Sequence, residues 1–262
     1  MKEHEFIGKV ALVTGAGGGI GSAVARLLAE LGAAVAITDH NDIELAQVLE
    51  SLWDAGCTAS IAVPADICSK CAVERAVEEV EQGMGPIDFL VNVAGILRHG
   101  PILEMDDEDW DLTFATNVRG VFFFSRAVAQ QMATKSHGAI VTVTSNVTYV
   151  PRVGMAAYAA SKAAASMFTK CLGLEMASYG IRCNVVAPGS TNTPMLHSLW
   201  ADASGLEKTI KGDLNAFRVG IPLARIATPT DIARSVVFLL SDHASHITMQ
   251  ELCVDGGASL GK

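Results

Sequence analysis

The sequence predicts a doubly wound α/β domain, one parallel sheet of about seven strands with helices on both faces. Three observations predict it. Short apolar runs rich in Val and Ile alternate with longer stretches of helical periodicity along the whole chain. The runs are nearly continuous in apolarity, as strands covered on both faces must be. Strands alternating with helices pair in parallel through right-handed crossovers.

Taken in order, the strands are expected at Val10–Thr14, Ala34–Thr38, Ala59–Val63, Phe89–Ala94, Ala139–Thr144, Arg182–Ala187 and Glu251–Val254. Between the first two, Ile20, Val24, Leu27, Leu28 and Leu31 recur at helical spacing, and Gly32 closes the helix. Further helices are expected near Asp107–Thr134, Ala157–Ser178 and Thr230–Leu240. The chain has 262 residues, half of them hydrophobic, enough for a large core, and no linker or repeat divides it. A single domain over residues 1–262 follows.

Composition excludes several function classes. A net charge of −9 with no basic patch argues against a nucleic-acid partner. "MKEHEFIGKV" lacks the apolar run of a signal peptide, and no segment approaches a membrane span. A soluble cytoplasmic protein with no membrane partner is expected. Six cysteines in a chain of this length do not suggest a disulfide scaffold. Cys68 and Cys71 form a C-x-x-C, but no second pair sits at ligand spacing, so they read as two thiols at a helix start. His243 and His246 lack a nearby third ligand, and no metal site is expected.

The stretch "VTGAGGGIGS" opens the chemistry. It does not fit G-x-G-x-x-G, but it does fit T-G-x-x-x-G-x-G on Thr14, Gly15, Gly19 and Gly21. The glycines fall between a strand and a helix, where free N–H groups and the helix dipole favour a pyrophosphate. Gly15 allows the tight turn, while Gly19 and Gly21, around Ile20, let backbone approach ligand and sheet. The next strand ends at Asp39, where an acid can hold ribose hydroxyls. A carboxylate there repels a 2′-phosphate, and His40, Asn41 and Asp42 supply no Lys or Arg to reverse this. NAD is therefore favoured over NADP; a solvated turn acid is the plainer alternative for Asp39.

The second motif is "YAASK". Tyr158 and Lys162 lie one helical turn apart and share a face. Tyrosine is a poor base at neutral pH, and lowering its pKa by ~3 units needs ~4 kcal/mol. One ammonium about 4 Å away, at an effective dielectric of ~20, supplies about that much. Ser145 ends a predicted strand 13 residues before Tyr158, and Asn117 is a polar residue amid "TFATNVRGVFFF", poorly explained as core.

The motif at 14–21, "NVAG" at 92–95, Asn117, Ser145, Y-x-x-x-K at 158–162 and "PG" at 188–189 resemble the short-chain dehydrogenase/reductase family, in its order and over essentially the whole chain. The second Asn of the usual N-N-A-G is Val93 here. The resemblance implies a Rossmann-type fold and a nicotinamide cofactor. It implies Tyr158 as general base, Lys162 lowering its pKa and holding the nicotinamide ribose, Ser145 positioning the hydroxyl, and Asn117 supporting a proton-relay water. It places Asp66 and Ile67 around the adenine, Asn92, Ala94 and Gly95 along the cofactor, and Pro188, Thr191 and Thr193 beside the nicotinamide. The cofactor half then spans about 1–135 and the catalytic half about 136–262, with a mobile lid over about 193–220.

Longer stretches, among them "VPRVGMAAYAASKAA" and "HITMQELCVDGGASLG", are similar to the 2,3-dihydro-2,3-dihydroxybenzoate dehydrogenases of siderophore biosynthesis within that family. Their substrate, a carboxylated diol, needs a cation. Arg152 and Arg98 are the candidates, the former favoured because Ser145 and Tyr158 flank it; surface arginines paired with acids are the alternative. Met195, Leu196, Leu199 and Trp200 read as a lid supplying apolar contact, with Met195 on the substrate ring, or as the lid's own small core. Other readings are a family member acting on a 3-oxoacyl thioester, sugar or cyclic alcohol, and, from another class, a non-catalytic NAD-sensing protein. The presence of both Tyr158 and Lys162 speaks against the last. Met167, Phe168, Cys171, Leu172 and Met176 mark a helix of the kind relatives pair into tetramers, so a homotetramer is expected.

Overall fold

A computed structural model describes residues 6–261. The strands are β1 (Val10–Thr14), β2 (Ala34–Thr38), β3 (Ser60–Ala62), β4 (Phe89–Asn92), β5 (Gly138–Val143), β6 (Ile181–Pro188) and β7 (Glu251–Val254). They form one parallel sheet in the order β3-β2-β1-β4-β5-β6-β7. The helices are α1 (Gly19–Glu30), α2 (Asp42–Asp54), α3 (Lys70–Met84), α4 (Asp107–Phe114), α5 (Val121–Lys135), α6 (Ala156–Met176), α7 (Pro194–His197), α8 (Gly205–Lys211) and α9 (Pro229–Leu240). This is the doubly wound Rossmann arrangement, and its strand order reverses between β1 and β4.

The apolar runs are continuous because each strand feeds two cores. Ala11 and Val13 of β1 face a cluster with Val24 and Leu28 of α1 and Ile232 and Val236 of α9. Val10 and Leu12 face the opposite cluster, with Val73 and Val77 of α3 and Phe124 and Met132 of α5. Side chains such as Leu12, Leu90 and Ile140 are fully buried, each stabilising the fold by about 2 kcal/mol.

Boundaries moved where local chemistry decided them. The expected helix over Asp107–Thr134 is α4 and α5 joined by a π-helical stretch, Ala115–Gly120. Helix α9 starts at Pro229 because Thr228 and Asp231 form a capping box that leaves proline at the first helical position. The expected strand at Phe89–Ala94 stops at Asn92, because the amides of Val93 and Ala94 turn to donate to the Thr14 hydroxyl, at 3.1 and 3.2 Å. That pair of bonds draws the β4 loop onto the β1 turn at the switch point, where ligands of open α/β sheets bind. Cys68 and Cys71 flank the start of α3.

Candidate active site

The glycine turn is built by steric need. Gly15 has φ +66, and a Cβ there would stand 2.5 Å from the Ala94 amide nitrogen. At Gly21 a Cβ would lie 2.2 Å from the Gly15 carbonyl, so this glycine serves the packing of α1 on the turn. A Cβ on Gly19 would meet the Thr193 methyl at 3.0 Å, so the segment that begins at Thr193 lies over the turn. Helix α1, which contains Ile20, has no side-chain cap and no acidic residue in its first turn, leaving its N-terminus available to an anion.

Asp39 is not a solvated turn acid. Its side chain is 11% exposed. One carboxylate oxygen accepts from the Gly17 amide at 3.1 Å, and the other accepts from the amides of His40 and Asn41. The His40 ring nitrogen lies 2.9 Å from the same carboxylate. Asp66 is exposed and its carboxylate caps the turn at the Cys68 amide; Ile67 packs where a Gly120 Cβ would stand.

Asn92 departs from expectation. Its side chain is 1% exposed and donates to the hydroxyls of Ser125 and Thr142, inside the sheet rather than in the cleft. Its Oδ1 is buried without a hydrogen-bond partner among the described residues. Asn117 is fully buried in the π-helical stretch. Its amide accepts from Ile96 N–H at 2.8 Å and donates to the Ile96 carbonyl and to Ser161, both at 2.9 Å. The side chain is thus committed to holding the "NVAG" loop against α6.

Tyr158, Ser145 and Lys162 converge. Ser145 follows β5, and its hydroxyl accepts weakly from the Val147 amide and hydrogen-bonds Tyr158. Lys162 Nζ donates to the Val143 carbonyl at 3.1 Å and sits 5.8 Å from the Tyr158 ring centre. Burial pushes the Tyr158 pKa up to about 12, the Ser145 bond working against it. Burial also pushes Lys162 down to about 8. Desolvation is thus the largest influence on both groups. A Cβ at Gly95 would lie 3.0 Å from both Lys162 Nζ and Asn117 Oδ1, so glycine keeps the space before the lysine clear.

A cavity of about 230 Å³ adjoins these groups. Ile20, Ser145, Tyr158, Pro188, Thr191 and Thr193 line it together with Arg152 and Met195. Leu196 and Leu199 line it too, whereas Trp200 packs against Gly205 and donates to Thr209. Leu196 and Leu199 thus face the cavity, and Trp200 packs within its own segment. Arg98 does not reach the cavity. It pairs with Asp109 at 3.1 Å on the surface, with both side chains nearly half exposed. Sequence reasoning missed His99 and Arg218, which do line it. For Arg218 a signal existed, as it is the only arginine between 193 and 220.

The cleft fits a dinucleotide. It has an uncapped helix N-terminus, an inward acid at the end of β2, and glycines at 15 and 95 where any Cβ would intrude. It leads to a buried phenol, hydroxyl and ammonium.

Comparison with known proteins agrees. A family model described as enoyl-(acyl carrier protein) reductase matches residues 15–259. The 2,3-dihydro-2,3-dihydroxybenzoate dehydrogenase of Bacillus subtilis (strain 168) is 56% identical over the full length of both chains. That of Escherichia coli (strain K12) is 44% identical over 98% of this chain and 99% of its own. Among solved structures, a gluconate 5-dehydrogenase from Burkholderia cenocepacia J2315, in complex with NADP and tartrate, superposes with a TM-score of 0.90 at 34% identity, covering 99% of each chain. By its site and by these similarities the chain belongs to the short-chain dehydrogenase family, oxidoreductases that work with a nicotinamide cofactor.

Proposed function

We propose that the protein oxidises 2,3-dihydro-2,3-dihydroxybenzoate to 2,3-dihydroxybenzoate with NAD, producing the catechol acid used in siderophores. The observation that carries this reading is one cavity holding a proton-accepting pair, Tyr158 and Ser145, together with Arg152, a cation for the carboxylate. The full-length similarity to two dehydrogenases named for this substrate supports it.

Gly15, Gly19, Ile20 and Gly21 hold the pyrophosphate, with Asp39 and His40 on the adenosine ribose and Asp66 and Ile67 beside the adenine. Ala94 and Gly95, the Asn92 backbone, Pro188, Thr191 and Thr193 guide the nicotinamide half. NAD follows from the Asp39 carboxylate, whose charge opposes a 2′-phosphate with no Lys or Arg at 40–42 to offset it. When bound, the dinucleotide supplies a hydride acceptor and a positive charge. Ser145 positions the C3 hydroxyl, and Tyr158 takes its proton once the positive charges of Lys162 and the dinucleotide offset the burial that raises its pKa. Lys162 holds the ribose, and the backbone of Asn117, whose side chain is committed to Ile96 and Ser161, supports a water that carries the proton away. The 3-keto product then tautomerises, its C2 proton being lost and its C3 carbonyl oxygen gaining one, and becomes aromatic. Met195 lies along the ring and the lid excludes water.

Assembly is proposed as a homotetramer. Leu172 and Met176 pack against the core instead, whereas Met167, Cys171 and Leu174 form an exposed stripe on α6, and Phe168 meets exposed Phe122 edge-on. Six free cysteines support a reducing cytoplasm, and no helix among the described residues is long and apolar enough to cross a membrane.

The test is NADH formation by the purified protein given the diol acid, with catechol fluorescence followed in parallel. Tyr158→Phe is expected to lower kcat about 10²- to 10⁴-fold with NAD binding retained. Absence of both signals while NAD binds refutes the substrate.

A further inference from the structure

We infer that Arg218 is a second carboxylate ligand, and that the acid group of the substrate is held between Arg152 on the catalytic half and Arg218 on the lid. This rests on the reading of the site as one for a cyclic hydroxy acid. Both guanidiniums line the same cavity, from segments more than sixty residues apart. Both are only partly exposed. Among the described residues neither side chain makes a hydrogen bond or has a carboxylate at salt-bridge distance; Asp255 attracts Arg152 and Asp213 attracts Arg218 only at longer range. The two cations repel each other, and burial disfavours the charge on each.

Two half-desolvated like charges facing one cavity are costly unless an anion joins them. One carboxylate offers two oxygens and about four lone-pair directions, enough for two guanidiniums at once. The position of Arg218 is also well defined. Its amide donates to the Asp213 carbonyl and its carbonyl accepts from the Asp213 amide, both at 2.9 Å. This closes a loop over Leu214–Ala216 and Phe217, the latter at φ +54. The lid thereby presents a charge rather than apolar cover alone, so it engages acids in preference to neutral diols.

The experiment titrates 2,3-dihydroxybenzoate and catechol, which differ only by the carboxylate, into the full-length protein with saturating NADH, by calorimetry. The wild type is expected to prefer the acid. Arg218→Gln and Arg152→Gln are each expected to weaken the acid by about 10- to 100-fold and leave catechol unchanged, which also shows that the variants are folded. Arg218→Lys is expected to restore part of the loss, a point charge replacing a fork. Equal weakening of acid and catechol by Arg218→Gln, no weakening of either, or a wild type without preference for the acid would each overturn the proposal. If the acid preference exists and depends on Arg218 but the diol acid is not oxidised, the substrate proposed above fails and the anion site stands.

Discussion

Replacing Lys162 with methionine is expected to stabilise the fold at neutral pH while abolishing turnover. The ammonium is buried and donates to the Val143 carbonyl, and burial lowers its pKa from 10.5 to about 8. The unfolded chain therefore holds more protons than the native one between about pH 8 and 10.5, and stability rises with pH across that window. Below pH 8 the lysine is charged in both states and the whole penalty is present. At about 1.4 kcal/mol per pH unit, the drop from 10.5 to about 8 makes it about 3 kcal/mol at pH 7, falling to about 1 kcal/mol near pH 9.5. Tyr158, pushed up to about 12 from 10, is present in both proteins and drops out of the difference between them. How much Lys162→Met gains in absolute terms depends on how the methionine packs. The change with pH does not. Urea unfolding of both proteins at matched concentration should show the stability gap shrinking by about 2 kcal/mol between pH 7 and about pH 9.5. A gap that stays constant, or widens, would refute the claim that Lys162 is held charged against desolvation.

Three other outcomes are expected. Asp39→Ser should raise KM for NAD by roughly 10-fold and raise the use of NADP relative to NAD, because it removes the carboxylate that opposes the 2′-phosphate; an unchanged ratio of the two kcat/KM values would count against Asp39 as the selecting group. Gly15→Ala, at φ +66 with Ala94 N 2.5 Å from the new methyl, should cost at least about 2 kcal/mol in denaturant unfolding and weaken NAD binding measured by fluorescence. Arg98→Ala, removing only a surface pair with Asp109, should change stability by less than about 1 kcal/mol and leave KM for the acid as in the wild type; a large rise in KM would restore Arg98 to the substrate site.

The sequence by itself determined the sheet, the glycine turn and the Tyr158–Lys162 pair. Each depends on near neighbours: a continuous apolar run along a strand, one helical turn between side chains, a backbone that glycine adopts most readily at position 15. Such relations are written into spacing and survive whatever packs around them. Tertiary structure alone decided where the remaining side chains point. Arg98 and Arg218 look alike in sequence, yet one meets Asp109 on the surface and the other enters a cavity whose walls come from residues 20 to 258. Asn92 and Asn117 are likewise polar residues in apolar surroundings, and only packing shows that Ser125 and Thr142 occupy one while Ile96 and Ser161 occupy the other. The protonation balance at Tyr158 belongs to the same class. Spacing put an ammonium near the phenol, but desolvation depends on everything that excludes water from both, and that is a property of the assembled core.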